Sequence, residues 1–168
     1  MKIKDLYAFV FFMVIAGSVA TAQEKANQSF VKVTGEVTKP LQLTEADIEK
    51  MNKVNVNLTD RDGKVHIYKG VPVIDILNSA GVTTGKELRG ENLSKYVLVK
   101  CADGYEVLFS LAEMDSSISK KLIILATEAD GQPIPAGKGP FRLVVPGEGR
   151  PARSCFQVVE FVIRFAKE

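Results

Sequence analysis

Hydrophobic and polar residues alternate with a period of two along most of the chain, the pattern of half-buried strands. Val31, Val33 and Val37 share one side of a strand expected over 30–37, which Pro40 ends. Val54, Val56 and Leu58 alternate with polar residues in a second strand. Asp60-Arg61-Asp62-Gly63 then reads as a turn, and 65–68 as the return strand of a hairpin. His66 and Tyr68 lie on one face of that hairpin, opposite Val65 and Ile67. Strands are also expected over 96–101 and 105–109, around an Asp103-Gly104 turn, and over 122–127, 141–145 and 155–165, the last being the longest.

The period changes in three places. Thr44 with Asp47 three residues later is a helix-capping pattern, Leu43 is placed to staple onto Ile48, and the short helix ends near Met51. After Gly70, Pro72 sits in the first turn of a better helix, in which Val73, Ile74, Leu77 and Ala80 fall at i, i+3 or i+4 spacing before Gly81 ends it. Ser110 with Glu113 is a second capping pattern, for a brief helix. Residues 83–94 are polar and read as loop, while 130–140 and 146–151 are loops shaped by Gly and Pro. There is no repeat, no internal linker and no βαβ rhythm. The pattern predicts a single α+β domain of mixed, mostly antiparallel sheets with a few short helices.

The first residues read differently. Lys2 and Lys4 precede an unbroken apolar run over 6–16, and Ala20-Thr21-Ala22 supplies small residues for a signal peptidase. Eleven apolar residues fall short of the ~20 that span a bilayer. The chain therefore divides into a signal peptide over 1–22, a flexible lead-in over 23–29 and a domain over 30–168, with a periplasmic or secreted location and no membrane partner once the leader is removed. Export permits Cys101 and Cys155 to pair as a disulfide. Two separate buried thiols are the other reading, and the sequence leaves both open.

Composition then removes whole classes of function. A net charge of +2 gives no electrostatic footprint for nucleic acid. Trp is absent and aromatics make up 8%, which disfavours stacking platforms for bases or sugars. The single histidine, His66, excludes catalysis through several imidazoles, and two cysteines are too few for a Cys-based zinc site unless His66 and a carboxylate join them. No nucleophile or carboxylate is tied to His66 by the sequence, so it reads as a hairpin residue facing solvent or Tyr68. Asp103-Gly104-Tyr105 reads as a turn followed by a half-buried aromatic. The Gly-Lys stretch over 131–139 does not make a phosphate loop, because its spacing is one residue too long, no Ser or Thr follows Lys138, and Pro133 and Pro135 remove backbone donors. Arg142, Arg150 and Arg153, with Lys138, sit in or beside two Gly/Pro loops. If those loops meet, the guanidiniums can grip a phosphate, carboxylate or sulfate. Surface pairing with Glu148 or Asp130 is the alternative.

Four segments carry a family likeness in order: Val33-Thr34-Gly35-Glu36-Val37; Tyr68-Lys69-Gly70-Val71-Pro72-Val73-Ile74-Asp75-Ile76-Leu77; the run from Cys101-Ala102-Asp103-Gly104-Tyr105 to Glu113; and Gly139-Pro140-Phe141-Arg142-Leu143-Val144-Val145-Pro146-Gly147. Over residues 30–165 the chain resembles the oxidoreductase molybdopterin-binding domain, the catalytic domain of sulfite oxidases and related periplasmic reductases. The resemblance implies the same α+β fold. It also implies a molybdenum-ligating cysteine in the strand–loop segment before the Gly-Val-Pro helix start. Here that segment is 54–69, and it contains none. Neither Cys101 nor Cys155 falls at that position, and Asn57, Thr59 or Asp60 cannot serve as a soft ligand. The family's basic segment after the Pro-Gly loop, which contacts the pterin phosphate, corresponds to Arg150, Arg153 and Ser154.

The expectation is an exported binding or accessory module without catalytic or metal-ligating residues. Its ligand would be a small anion or a pterin-type molecule at Arg142, Arg150, Arg153 and Ser154, or its partner a redox protein. The alternative is a molybdopterin-dependent oxidoreductase using Cys101 or Cys155, or cycling them as a dithiol. A third reading is a structural subunit of an exported redox complex.

Overall fold

A computed structural model describes residues 29–135 and 137–166. The expected leader and most of the lead-in lie outside the described residues. The elements run in chain order as β1 (Phe30–Gly35), β2 (Leu41–Thr44), α1 (Glu45–Glu49), β3 (Val54–Thr59), β4 (Val65–Pro72), α2 (Val73–Ser79), β5 (Lys95–Cys101), β6 (Glu106–Ser110), α3 (Leu111–Met114), β7 (Ile124–Ala129), β8 (Gln132–Pro133), β9 (Arg142–Val144) and β10 (Val158–Phe165). They form two five-stranded sheets. The first has the order β2-β1-β10-β5-β6; in the second β3-β4-β7-β8 is extended by β9, which also pairs with β7. Only β1 and β10 run parallel, so the sheets are mixed and mostly antiparallel, as the pattern predicts.

The main core lies where the first sheet meets α2 and one face of the second. Val31, Val33, Val97, Val99, Phe109, Phe161 and Ile163 are buried there with Ile76, Leu77, Leu125 and Leu143. A smaller cluster occupies the opposite face of the second sheet: Val56, Leu58, Tyr68, Ile124, Ala126, Ile134 and Val144. β7 is thus apolar on both faces, which is why its first residues read as an unbroken run rather than an alternation. The capping boxes at Thr44/Asp47 and Ser110/Glu113 both form, each satisfying otherwise unpaired amides at a helix start. α2 has its cap at Ala80, immediately before Gly81.

Several boundaries differ from the sequence reading. The 30–37 strand stops at Gly35, where Val37 turns back to donate to the Gly35 carbonyl at 2.8 Å. The residues before the Thr44 cap form an extra edge strand, β2, on β1. The 83–94 loop contains two short 3-10 turns, over Gly85–Glu87 and Gly90–Ser94. The last strand begins at Val158, not at 155. Phe156 instead bridges Arg142, and Gln157 takes a positive φ of 55° that bends the chain before β10. With eight residues it equals β4 in length and is not the longest alone. Among the described residues no helix is long and apolar enough to cross a membrane.

Candidate functional site

The β3–β4 hairpin places the site. Leu58 is paired with His66 and Val56 with Tyr68, so His66 and Tyr68 project to the face that carries the smaller core cluster. Val65 and Ile67 project to the other side and are exposed, as the period of two requires. The turn is held from within: Asp60 N donates to the Lys64 carbonyl at 2.9 Å, and Asp62 Oδ1 accepts from Lys64 N at 2.9 Å. Across the sheet, Asp130-Gly131 forms the two-residue connection from β7 to β8, with positive φ at both positions. Asp-Gly suits that hairpin geometry. Asp130 N donates to the Ile67 carbonyl at 2.8 Å, which brings the Asp130 carboxylate beside His66.

A cavity of about 630 Å³ opens between these elements, lined at its polar end by Asp60, Arg61, Asp62, His66, Asp130 and Arg142. Phe156 and the 132–135 segment form apolar walls. A second cavity, of about 540 Å³, has Lys32 and Glu160 among its lining residues but gathers no comparable cluster of ionisable groups.

Arg142 dominates the first cavity. It is 2% exposed and projects from β9 onto the same face as Val144. Its guanidinium donates to Asp60 through Nη1 at 2.6 Å and Nη2 at 3.1 Å, and Nη1 also donates to the Tyr68 hydroxyl. Tyr68 in turn donates to Asp60 Oδ2 at 2.7 Å. The guanidinium lies over the rings of Phe156 at 4.0 Å and Tyr68 at 4.6 Å. Among the described side chains, only Arg142 Nε is buried without a partner. The guanidinium holds the Asp60 carboxyl far below the ordinary carboxylate range. Burial first, and then the bond to Asp60, push the Tyr68 phenol well up. Asp60 is therefore a fixed anion whose charge is spent on Arg142.

His66 is clamped between two carboxylates, Nδ1 to Asp130 Oδ2 at 2.6 Å and Nε2 to Asp62 Oδ2 at 3.0 Å. The bond to Asp130, followed by that to Asp62, raises its pKa from the ordinary 6.5. Its ring also meets that of Tyr68, with centroids 6.4 Å apart. With one imidazole in the chain, an NMR titration reads this residue alone. The midpoint should lie above 6.5 and fall toward it in Asp130→Asn. Because the folded-state pKa is raised, the stability His66 contributes is complete below 6.5 and disappears as pH rises through the folded-state midpoint. A midpoint at or below 6.5 would mean that the carboxylates do not hold the ring in solution.

The residues that the sequence suggests for anion binding are not assembled around one ligand. Arg142 is matched to Asp60. Arg153 lies over Phe109 at 4.2 Å and is neutralised by Glu148, through Nε at 2.8 Å, and by Glu113 at 3.1 Å. This is the Glu148 pairing that the sequence left as an alternative. Ser154 is buried, its Oγ accepting from Val145 N at 2.9 Å. Arg150 is exposed and has no ion-pair partner among the described residues. Cys101 and Cys155 are both buried in the main core, on the side of the sheet away from the smaller cluster. Neither the Asp60–Arg142–Tyr68 unit nor the Asp62–His66–Asp130 clamp is evident from the sequence pattern. The one available clue was the density of Asp in the hairpin turn.

The architecture is that of a molybdopterin-domain fold, and the family match agrees. Residues 17–150 match the family described as the oxidoreductase molybdopterin binding domain, and the chain belongs to it. Among solved structures, the crystal structure of the sulfane dehydrogenase SoxCD from Paracoccus pantotrophus is similar, with a TM-score of 0.64 and 19% identity over 83% of this chain. The chain spans 39% of the length of that one, and at this identity the likeness concerns the fold. No curated protein shows significant similarity to the chain.

Fitting molybdenum into this cavity fails on the donor set. A soft metal of this kind is held through thiolate sulfur. No cysteine lines the cavity. Of the two carboxylates in the 54–69 segment that line it, Asp60 is engaged by Arg142 and Tyr68. Asp62 and Asp130 are engaged by His66. Among the described residues no group of three or more His, Cys, Asp or Glu is arranged to hold a metal ion.

Proposed function

We propose that this chain is an exported, non-catalytic member of the molybdopterin-domain family that works as a binding or accessory module in the periplasm or outside the cell. One observation carries the reading. In the segment where the family resemblance expects a metal thiolate, the cavity presents Asp60, and a buried arginine matches it in a two-pronged ion pair. Converting that arrangement to a metal site requires both a sulfur ligand and removal of the guanidinium contact.

The cavity keeps two cations without a carboxylate partner among the described residues, Arg61 and Lys138, the latter 5.5 Å above the Phe156 ring. A small anionic ligand, including a flat one of pterin type, suits these cations and the aromatic wall. The oxidoreductase alternative needs Cys101 or Cys155, both buried in the main core and neither lining the cavity, to reach it.

The test is elemental analysis of the protein purified from a host that makes and exports the molybdenum cofactor, with released pterin read by fluorescence. Folded protein should contain molybdenum far below one atom per chain. Near-stoichiometric molybdenum would overturn the proposal and make Cys101 and Cys155 the first residues to replace.

A further inference from the structure

Two nucleophilic side chains remain outside the cavity chemistry. Cys101 closes β5, and Cys155 lies in the segment that leads into β10. They are 5% and 4% exposed and belong to one core cluster, where each thiol shifts the titration of the other. They are the only two cysteines in the chain, far apart in sequence and joined here by the fold.

The surroundings bring the same two segments together at several points. Ala102 N donates to the Gln157 carbonyl at 2.9 Å, and Val158 is the register partner of Cys101. The Tyr105 hydroxyl donates to the Ala152 carbonyl at 3.0 Å. On the other side, Leu143 N donates to the Cys155 carbonyl at 2.9 Å, and Phe156 bridges Arg142. A bond between the sulfurs would therefore join two segments that the fold already pairs. The segment it fixes holds Phe156, the ring that covers the Arg142 guanidinium at 4.0 Å.

We propose that Cys101 and Cys155 form a reversible intramolecular disulfide that ties the end of β5 to the 152–157 segment and steadies Phe156 over Arg142. This is independent of whether the cavity takes a ligand. The oxidant is a disulfide of low molecular weight or of a thiol–disulfide exchange protein. Cys101 is the attacking group, for two reasons. It directly precedes the exposed 102–106 turn, and the neighbouring Cys155 thiol lowers its pKa, whereas the reciprocal interaction and burial push that of Cys155 well up. The Cys101 thiolate attacks one sulfur of the oxidant, forming a mixed disulfide and releasing one thiolate. Cys155 then loses its proton and attacks the Cys101 sulfur, forming the internal bond and releasing the second thiolate. The protein gives up two electrons and two protons, and the oxidant disulfide is reduced to two thiols.

The test uses the reduced, folded chain equilibrated with glutathione disulfide, acid-quenched, unfolded and alkylated for intact mass analysis. The two alkylatable thiols should fall to none, with loss of two hydrogens, no retained glutathione and no covalent dimer. Amide exchange across 153–157 should slow in the oxidised chain. Two thiols persisting in folded protein, a stable glutathione adduct without closure, or a bond between chains would each overturn the proposal. In Cys155→Ser the reaction should stop at a Cys101–glutathione adduct, and its absence in folded variant would overturn the order of attack. The wild-type measurement stands without that variant.

Discussion

Asp60→Ala should destabilise the fold by about 3–5 kcal/mol, the usual consequence of stripping a buried charge of its partner. Arg142 is 2% exposed and its Nε already lacks an acceptor, so the remaining donors cannot turn to water when Asp60 is removed. The rings of Phe156 and Tyr68 against the guanidinium limit its escape further. Arg142→Met should be milder, because the Asp60 side chain is 16% exposed and can recover hydration. The double variant should be less damaged than the sum of the two, since an apolar pair of similar volume often replaces a buried ion pair at little net cost. Urea unfolding of the four proteins reads this cycle. An Asp60→Ala protein within about 1 kcal/mol of the parent would mean that Arg142 finds another acceptor or water, and the buried-pair argument would fail.

The same pair sets an acid limit. Asp60 is held below its ordinary value of 3.8 chiefly by its hydrogen bond to Arg142. A carboxylate with a depressed folded-state pKa contributes stability that is complete above the unfolded value and is lost as pH falls through the folded one. Glu113 and Glu128 are shifted the same way, the first by Arg153 against burial and the second chiefly by Lys53. Asp60→Ala should therefore flatten the fall in stability below about pH 4 as well as lower the plateau. His66 acts in the opposite direction and higher on the scale, so the two groups are separable by pH alone.

Local signals were legible in the sequence, and non-local pairings were not. The Thr44 and Ser110 capping boxes and the β3–β4 and β5–β6 hairpins each depend on residues a few positions apart, and each forms where the pattern places it. The parallel pairing of β1 with β10 joins the two ends of the domain, and no periodicity encodes it. Leu41–Thr44 resembles the approach to a helix because its cap dominates the local pattern, yet it forms an edge strand first. The polar site shows the same division. Arg153 meets Glu148 five residues away, a pairing that could be weighed from sequence. Arg142 meets Asp60 across 82 positions, and only the pairing of β9 with β7 and of β7 with β4 brings them together. Cationic loops suggested a converging anion site, but Arg142 and Arg153 are already matched to carboxylates of their own.

Gly70→Ala should cost at least about 3 kcal/mol, at or beyond the upper end of ordinary overpacking. A Cβ at Gly70 would lie 2.2 Å from the Leu125 carbonyl oxygen and 2.4 Å from Ala126 Cα. Both obstacles are backbone atoms of β7, so no side chain can move aside. The register between β4 and β7 shifts between Lys69 and Gly70, and the close approach sits at this irregularity. Relief requires β4 and β7 to separate, and β7 is also the strand on which β9 presents Arg142. The substitution should therefore loosen the Asp60–Arg142 pair from a distance, and much of the protein should be recovered unfolded. Gly63→Ala is the informative contrast. Its Cβ would meet nothing within 4 Å, but its φ is +77°, so only the left-handed conformation opposes it, by roughly 1–2 kcal/mol. Denaturant midpoints of both variants separate a packing limit from a conformational one. Equal losses at the two positions would mean that the sheet yields at Gly70 and that the hairpin carrying the site is held less tightly by β7 than its backbone contacts imply.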